Sequence, residues 1–251
     1  MKNRQKLLVI GNGMAGARAV EEILARGGAD IFDITMFGDE PYGNYNRILL
    51  SNVLNGSQDA SEIFLNPLDW YAENNVKLHA GVRVNSIDRS TQTLIDDRGE
   101  NHSYDKLMIA TGSRPFVPPI KGVHAEDDSL KSGVFLFRTI DDCNKIADYA
   151  DRCKKAVVIG GGLLGLEAAR GLMNYGVEVH IVHNMSWLMN NQLDHTGGAI
   201  LKSVMEKMGL HIHLDKLTSS ITGDASVTAV TFADGTSLDC EMVVISAGIK
   251  A

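Results

Sequence analysis

The chain has 251 residues, of which 44% are hydrophobic and 22% charged, an ordinary globular composition with room for two domains. Its 24 Lys and Arg residues are outnumbered by 31 Asp and Glu, and the net charge of −7 argues against nucleic acid or an anionic membrane as a partner. No apolar run of the sequence approaches the roughly 18 residues that cross a bilayer, so we expect a cytoplasmic protein.

The first half of the chain begins with a βαβ pattern and continues with shorter alternating stretches. Apolar periodicity predicts a strand over 7–10, a helix over 14–26, a strand over 31–37 and a short helix over 67–75. Alternating stretches follow at 77–84 and 91–95, then a turn at 96–99 and a strand at 106–110.

The second half repeats this plan after a proline-rich stretch at 113–122 that suits a crossing between domains. A helix over 139–152 opens with Thr139 as a cap, followed by acidic residues. Further elements are predicted as strands at 156–159, 177–182, 227–232 and 242–246 and as helices at 163–175 and 196–208.

Each half contains a glycine-rich turn between its first predicted strand and the helix that follows. The turns are GNGMAG at 11–16 and GGGLLG at 160–165, and both fit the pattern G-x-G-x-x-G. In such turns the glycines allow a tight bend, close approach of a pyrophosphate, and close packing of helix on strand. The helix start then holds the anion with backbone N–H groups and its positive dipole end. Because each turn has credible flanking elements, we interpret both as dinucleotide-binding sites rather than as turns alone.

The residue that would meet the adenosine ribose differs between the halves. Asp39 and Glu40 follow the second strand of the first half, where a carboxylate accepts from ribose hydroxyls. At the matching place in the second half stand His183 and Asn184. With a reference pKa of about 6.5, an imidazole is expected to carry some charge and tolerate a 2′-phosphate. The choice between NADH and NADPH therefore stays open, and a plain surface role for His183 is the alternative.

Two dinucleotide sites in one chain suggest a resident flavin and a visiting nicotinamide, between which a hydride passes. We therefore predict an α/β protein with two Rossmann-like three-layer dinucleotide-binding domains that have parallel sheets and antiparallel β insertions. The domain boundaries are expected at 1–118 for FAD and 119–245 for NAD(P), and 246–251 would begin a return to the FAD domain.

Four motifs, in order, resemble those of the pyridine-nucleotide-disulfide oxidoreductase superfamily. They are YDKLMIATGSRP at 104–115, the proline-rich crossover, GGGLLGLE at 160–167 and DCEMVVISAG at 239–248. The loop DEPYGNYNRILLSNVL at 39–54 is similar to that of rubredoxin and ferredoxin reductases. Together with VHNMSWLMNNQLD at 182–194, it most resembles the N-terminal flavin module of NAD(P)H-dependent assimilatory nitrite reductase large subunits.

The resemblance implies two sets of cofactor contacts and no catalytic side chain. The implied FAD contacts are Gly11, Gly13, Met14, Ala15, Gly16, Asp39, Glu40, Arg47, Val84 through its backbone, Ala110, Thr111 and Gly112. The implied NAD(P) contacts are Gly160, Gly162, Leu163, Leu164, Gly165, Glu167 and His183, with Glu167 near the nicotinamide amide.

Four of these residues also have simpler interpretations. Arg47 could be a solvated loop charge, Thr111 and Gly112 a plain strand end, and Glu167 an acid that favours the positive end of its helix. The sequence also departs from the family at Asn52, where a Lys is expected to meet the flavin.

The resemblance implies an electron-input module that transfers hydride from NAD(P)H to FAD. Electrons would then reach sirohaem and iron–sulfur centres, in downstream redox domains or through a small-subunit partner, and reduce nitrite to ammonia. The alternatives are a stand-alone NAD(P)H:rubredoxin or ferredoxin-type reductase and, in another class, a non-catalytic dinucleotide-binding or redox-sensing fragment.

The chain ends at ISAGIKA, where members of the family return to the FAD domain and supply an Asp for the ribityl chain. We therefore expect a fragment that lacks the C-terminal part of the family fold and has a lower FAD occupancy than the full-length protein.

The remaining candidate groups are three cysteines and two histidines. Cys143, Cys153 and Cys240 form no C-x-x-C pair, which argues against a disulfide framework, an iron–sulfur site in this stretch or a redox dithiol, and favours buried thiols. His211 and His213 alternate on a predicted strand and point to one face. Because the sequence shows no supporting carboxylate or cysteine cluster, we expect no metal site there.

Overall fold

The computed structural model describes residues 4–251. Its strands are β1 (Gln5–Ile10), β2 (Phe32–Gly38), β3 (Asn44–Tyr45), β4 (Phe64–Asn66), β5 (Val76–Ala80), β6 (Val84–Asp88), β7 (Thr93–Asp96), β8 (Asn101–Ser103), β9 (Lys106–Ile109), β10 (Arg114–Pro115), β11 (Val134–Leu136), β12 (Lys155–Ile159), β13 (Glu178–Val182), β14 (His211–His213), β15 (Thr218–Thr222), β16 (Ala229–Phe232), β17 (Ser237–Asp239), β18 (Met242–Ile245) and β19 (Ile249–Lys250). Its α-helices are α1 (Met14–Ala25), α2 (Leu50–Leu54), α3 (Leu68–Glu73), α4 (Ile140–Ala150), α5 (Leu163–Met173) and α6 (His195–Lys207).

The chain divides into two compact units. The first contains the chain up to Arg47 and Ser61–Ser113, and the second contains Ile48–Ala60 and Arg114–Ala251. In this division the last crossing between the units falls between Ser113 and Arg114, close to the predicted boundary at 118, and segment 48–60 lies in the second unit. There the main-chain oxygens of α2 accept hydrogen bonds from α4 and from the residues after α5, with Cys143 Sγ 3.6 Å from Leu50 O and Tyr175 Oη 2.9 Å from Leu54 O.

The first unit is built on a parallel sheet in the order β5-β2-β1-β9. Strand β1 is buried on both faces, as expected for a near-continuous apolar run in a parallel sheet. Leu7 and Val9 pack in one apolar cluster, and Leu8 and Ile10 in another. Full burial of such side chains stabilises the unit by about 1.5–3 kcal/mol each. An antiparallel sheet, β6-β7-β8, and the pair β3-β4 complete the unit.

The second unit repeats the design with a five-stranded parallel sheet in the order β11-β18-β12-β13-β14. An antiparallel sheet, β15-β16-β17, shares an apolar cluster with it, in which Val157 and Val243 meet Val230. Strands β10 and β19 form a short antiparallel pair. The prediction of an α/β fold with parallel sheets and antiparallel insertions is confirmed. Among residues 4–251, no helix has both the length and the apolar character needed to span a membrane.

Helix α4 begins with the cap that the sequence predicted. Thr139 Oγ1 accepts from the Asp142 backbone N–H at 3.1 Å, and the Asp142 carboxylate accepts from the Thr139 N–H at 3.0 Å. This reciprocal pair is a capping box. We expect Thr139→Ala to lower the free energy of unfolding of the second unit by about 1 kcal/mol.

Urea denaturation of the Thr139→Ala variant measures this loss, and Thr139→Ser is the control because it keeps the hydroxyl acceptor. Equal midpoints for the wild-type protein and Thr139→Ala would contradict the role of the cap.

Candidate functional site

The first glycine turn joins β1 to α1 by direct packing of backbone on backbone. Gly11 has φ +113° and donates its N–H to Phe37 O at 2.8 Å. A Cβ on Gly11 would lie 2.1 Å from Ala110 O, and one on Gly16 would lie 2.0 Å from Gly11 O. A Cβ on Gly13 would meet no atom within 4 Å. The outer glycines are therefore required by the fold, whereas the middle one leaves open space.

That open space lies at the start of α1. Gly13 is the N-cap residue and makes no side-chain cap hydrogen bond, and Met14 and Ala15 are exposed. The first backbone N–H groups of a helix have no partner within the helix and carry the positive end of its dipole. The turn therefore offers donors to an anion that approaches over Gly13.

The residue between the first two glycines is held by a hydrogen-bond network that the sequence did not predict. Asn12 Oδ1 accepts from the Tyr71 hydroxyl at 2.7 Å, and Asn12 Nδ2 donates to Tyr42 O at 3.3 Å. The Tyr71 oxygen in turn accepts from the Asn44 N–H at 3.1 Å. Burial raises the pKa of Tyr71, so its hydroxyl stays a donor. The only sign of this network in the sequence is the amide side chain of Asn12, because its partner Tyr71 lies 59 residues further along the chain.

An ion pair lies in the loop after β2. Arg47 pairs with the Glu40 carboxylate, which also accepts from the Tyr45 hydroxyl at 2.6 Å. The Arg47 guanidinium lies 5.0 Å from the centroid of the Tyr45 ring. Arg47 is therefore oriented by neighbours and is not a freely solvated loop charge. Asp39, the other predicted ribose acceptor, is exposed.

Three of the four remaining predicted residues of the first unit lie at a strand end beside the turn. Strands β1 and β9 are parallel neighbours, so Ala110, Thr111 and Gly112 follow β9 at the same edge of the sheet as the turn. Thr111 and Gly112 are exposed. Val84 begins β6 and is half-buried, packed against the cluster of Leu8 and Ile10.

The second turn has the same construction between β12 and α5. Gly160 has φ +130°, and a Cβ on it would lie 2.2 Å from Ser246 O. One on Gly165 would lie 2.1 Å from Gly160 O, whereas one on Gly162 would meet nothing within 4 Å. The sequence missed Ser246, which follows β18, because only strand order shows that β18 lies beside β12.

The helix after this turn carries the other predicted contacts. Leu163 and Leu164, its first two residues, are 58% and 38% exposed. Glu167, one turn further, is half-buried, and burial raises the pKa of its carboxyl group. The open middle glycine therefore lies beside two exposed apolar side chains and a partly desolvated carboxyl group.

The side chain of His183 is buried and hydrogen-bonded to the backbone of the second turn. It is 9% exposed, and its Nδ1 accepts from the Gly161 N–H at 3.2 Å, which leaves Nε2 to donate to Asn190 Oδ1 at 3.1 Å. Burial lowers the pKa of His183, although the Asn190 bond and the Asp215 charge partly oppose this. The expectations of a partly charged imidazole and of a plain surface residue are therefore both wrong, because the ring is buried with both nitrogens bonded. Asn184 is the exposed residue at this strand end.

The lowered pKa of His183 predicts a loss of stability in acid. Above the ordinary value of about 6.5 the imidazole is neutral in both states, whereas below it the unfolded chain binds a proton that the folded chain does not. This group therefore lowers the free energy of unfolding by at most about 1.4 kcal/mol per pH unit below pH 6.5.

Urea denaturation between pH 7.5 and about pH 5, a range that spans the ordinary histidine pKa of about 6.5, measures the effect. We expect the free energy of unfolding to depend less on pH in His183→Gln than in the wild-type protein. Identical slopes of the free energy of unfolding against pH in the two proteins would contradict this role of His183.

The three cysteines are buried free thiols. Burial raises the pKa of Cys153 to about 11 and those of Cys143 and Cys240 to about 12. Thiols of this kind are poor nucleophiles at neutral pH, in agreement with the prediction of buried thiols.

Two α/β units, each with a glycine turn at the carboxyl edge of a parallel sheet, define a protein of the tandem dinucleotide-fold class. The family model for pyridine nucleotide-disulphide oxidoreductases matches residues 5–251, and the chain belongs to this family. The family resemblance read from the motifs is thereby confirmed.

Relatives within the family are longer proteins. The chain is 47% identical over 247 residues to the NAD(P)H nitrite reductase of Bacillus subtilis (strain 168), covering 98% of this chain and 30% of the relative. It is 39% identical to the NADH nitrite reductase large subunit of Escherichia coli (strain K12), covering 99% and 29%. The chain thus spans about a third of the length of these relatives.

A solved structure shows the same fold. The putidaredoxin reductase in its covalent complex with putidaredoxin aligns with a TM-score of 0.90 at 26% identity, covering 98% of this chain and 59% of that one.

Proposed function

We propose that this chain is the electron-input module of an NAD(P)H-dependent flavoprotein, with FAD held by the first unit and NAD(P)H by the second. The observation that carries the proposal is the paired construction of the two turns, each with an open middle glycine at a helix start. When bound, FAD accepts a hydride from NAD(P)H and can release the electrons singly.

The first unit fits FAD because its turn leaves room for a pyrophosphate over Gly13 and because an arginine lies in the neighbouring loop. Gly13, Met14 and Ala15 would supply backbone donors to the phosphates. Asp39 and Glu40 would accept from the adenosine ribose. Val84, Ala110, Thr111 and Gly112 would contact the cofactor from the neighbouring strand ends.

The second unit fits a nicotinamide dinucleotide for the same reason. The phosphates would lie over Gly162, against the N–H groups of Leu163 and Leu164. Glu167 would face the nicotinamide end, where its half-buried carboxyl group would hydrogen-bond the amide. His183 would act indirectly, because it fixes Gly161 and leaves Asn184 to meet the ribose.

The electron acceptor is proposed from the relatives. Two that the chain matches over nearly its whole length are named nitrite reductases, which supports nitrite as the final electron acceptor. Sirohaem and iron–sulfur centres as the intermediate carriers, and ammonia as the product, are implied only by the resemblance of the motifs. A rubredoxin-type acceptor is the second candidate. The NADH-rubredoxin oxidoreductase of Clostridium acetobutylicum is 32% identical over 229 residues, covering 90% of this chain and 57% of the relative.

The hydride step is tested by mixing the FAD-loaded protein with NADH or NADPH without oxygen. We expect the absorbance of the oxidised flavin to be bleached, with one nucleotide faster than the other. A flavin that stays oxidised with both would leave only a binding or sensing module. Re-oxidation of the reduced protein by rubredoxin rather than by nitrite reductase centres would favour the second candidate acceptor.

Arg47 provides a prediction for the FAD site. We expect Arg47→Gln to weaken FAD binding about tenfold to a hundredfold. The substitution would remove the charge-assisted hydrogen bond that the guanidinium would donate to the FAD pyrophosphate, worth about 1.5–3 kcal/mol. Equilibrium dialysis or flavin fluorescence measures the change.

The control for Arg47→Gln is Arg18→Gln, because Arg18 also pairs with carboxylates but lies exposed on α1. Equal FAD affinity in Arg47→Gln and Arg18→Gln would contradict the role of Arg47.

A further inference from the structure

A group of three histidines and one glutamate lies on two neighbouring strands of the second unit. Glu178 and His180 stand on β13, and His211 and His213 stand on β14, with His180 directly opposite His211 in the parallel register. Side chains two residues apart on a strand share a face, so all four lie on one face of the sheet. We call them the histidine cluster.

The side chains of the cluster are in direct contact. His180 Nε2 lies 2.7 Å from Glu178 Oε1, and His180 Nδ1 lies 2.9 Å from His213 Nε2. The rings of His180 and His211 are stacked with centroids 4.5 Å apart. One possible ligand atom from each of Glu178, His180 and His211 lies within 4.8 Å of the others. His180 is buried, whereas Glu178 and His211 are exposed. Surrounding side chains therefore restrict His180, whereas Glu178 and His211 are accessible to solvent.

The expectation that no carboxylate accompanies these histidines is wrong. Glu178 and His180 lie more than 30 residues before His211 along the chain, and only the pairing of β13 with β14 brings them together. The cluster is also separate from the proposed nucleotide site. Glu178 is the first residue of β13, whereas the second glycine turn follows the carboxyl end of the parallel neighbour β12.

We propose that Glu178, His180 and His211 bind a divalent transition-metal ion with the preferences of Zn²⁺. Two imidazoles and a carboxylate are a ligand set that Zn²⁺ uses in proteins, and solvent can complete the tetrahedron. Bound ligand atoms would be about 3.4 Å apart, given Zn–N and Zn–O distances of about 2.0–2.2 Å. To reach these distances, the exposed side chains of Glu178 and His211 rotate, and the His211 ring leaves its stacked position on His180.

His213 positions the buried ligand. In the metal-free cluster His180 Nε2–H donates to Glu178, so His180 Nδ1 accepts from His213 Nε2–H. With the metal on His180 Nε2, the proton resides on Nδ1 and donates to His213 Nε2. A second-shell acceptor of this kind fixes the tautomer and orientation of a ligating histidine.

Lys155 opposes the metal. Its Nζ lies 3.3 Å from Glu178 Oε1, where it competes for the carboxylate and repels a cation. The proposal therefore predicts that Lys155→Met increases the affinity for Zn²⁺. A variant that failed to fold would not show this increase.

A second group, Asp96, Glu100 and His102 in the first unit, also has three ligand types close together. Asp96 Oδ1 accepts from the N–H groups of Arg98 and Glu100, and Oδ2 contacts His102 at 3.0 Å. These bonds close the turn after β7, so this group is a turn structure and serves as a control.

The test is a titration of the chelator-treated full chain with Zn²⁺ at pH 7.5 in competition with a chromophoric chelator. We expect one equivalent to bind. His211→Ala should weaken binding at least tenfold, and His213→Leu about tenfold to a hundredfold, with recovery in His213→Gln, which keeps an acceptor. Lys155→Met should tighten binding about fivefold.

The matched controls are His124→Ala, an exposed histidine of the same unit, and His102→Ala, and both should bind as the wild-type protein does. The proposal is overturned if the wild-type chain binds no Zn²⁺, if His102→Ala rather than His211→Ala loses it, or if Lys155→Met binds more weakly.

Discussion

Gly165→Val is expected to unfold the second unit. A Cβ at this position would lie 2.1 Å from the carbonyl oxygen of Gly160, and this contact is with backbone, which cannot rotate away. The turn, the start of α5 and the end of β18 would all have to separate. We expect the free energy of unfolding to fall by more than about 3 kcal/mol. This is a large part of the about 5–15 kcal/mol by which a typical domain is stable. Soluble yield and urea denaturation of the variant measure the effect.

Gly162→Ala is the matched control for this prediction, since it lies three residues away in the same turn and its Cβ would meet nothing within 4 Å. It should fold with a loss below about 1 kcal/mol, the usual cost of an N-cap substitution. If Gly165→Val were as stable as Gly162→Ala, the close packing of α5 on the turn would be disproved.

Gly162→Val is expected to abolish reduction of the flavin by NAD(P)H while leaving the protein folded and FAD bound. The backbone there has φ −86° and ψ 178°, which valine adopts readily, so the branched side chain would fill the space proposed for the pyrophosphate. The loss of two charge-assisted hydrogen bonds, at about 1.5–3 kcal/mol each, weakens the nucleotide about a hundredfold or more. Nucleotide titration and anaerobic bleaching of the flavin check both parts.

Gly13→Val is the mirror variant, because its site in the first turn is equally open. It should lose FAD and retain nucleotide binding. If Gly162→Val instead released FAD and Gly13→Val blocked the nucleotide, the assignment of the two sites would be reversed.

Features that depend on local sequence could be predicted. The observed strands β1, β12 and β18 lie within two residues of the predicted ones, because each is a short buried run between turns. Thr139 was correctly assigned as a helix cap from the acidic residues after it. The glycine turns were located by their spacing between a predicted strand and a predicted helix, and the family that the four motifs together resemble is confirmed.

Features that depend on contacts between distant segments could not be predicted. The stretch at 77–84 alternated in hydrophobicity, yet Val76–Ala80 is a parallel edge strand beside β2. Helix α2 has only five residues, too few for periodicity to show, and its place in the second unit depends on packing. His183 and the histidine cluster were misjudged because burial and cross-strand neighbours set their chemistry.

At both turns a Cβ on the first glycine would collide with main-chain atoms of a neighbouring strand end, Ala110 for Gly11 and Ser246 for Gly160. Main-chain geometry is common to all residues, so most surrounding side chains can be substituted during evolution without displacing either glycine turn. This offers a physical reason why a reductase that shares only 26% of its residues with this chain superposes with a TM-score of 0.90.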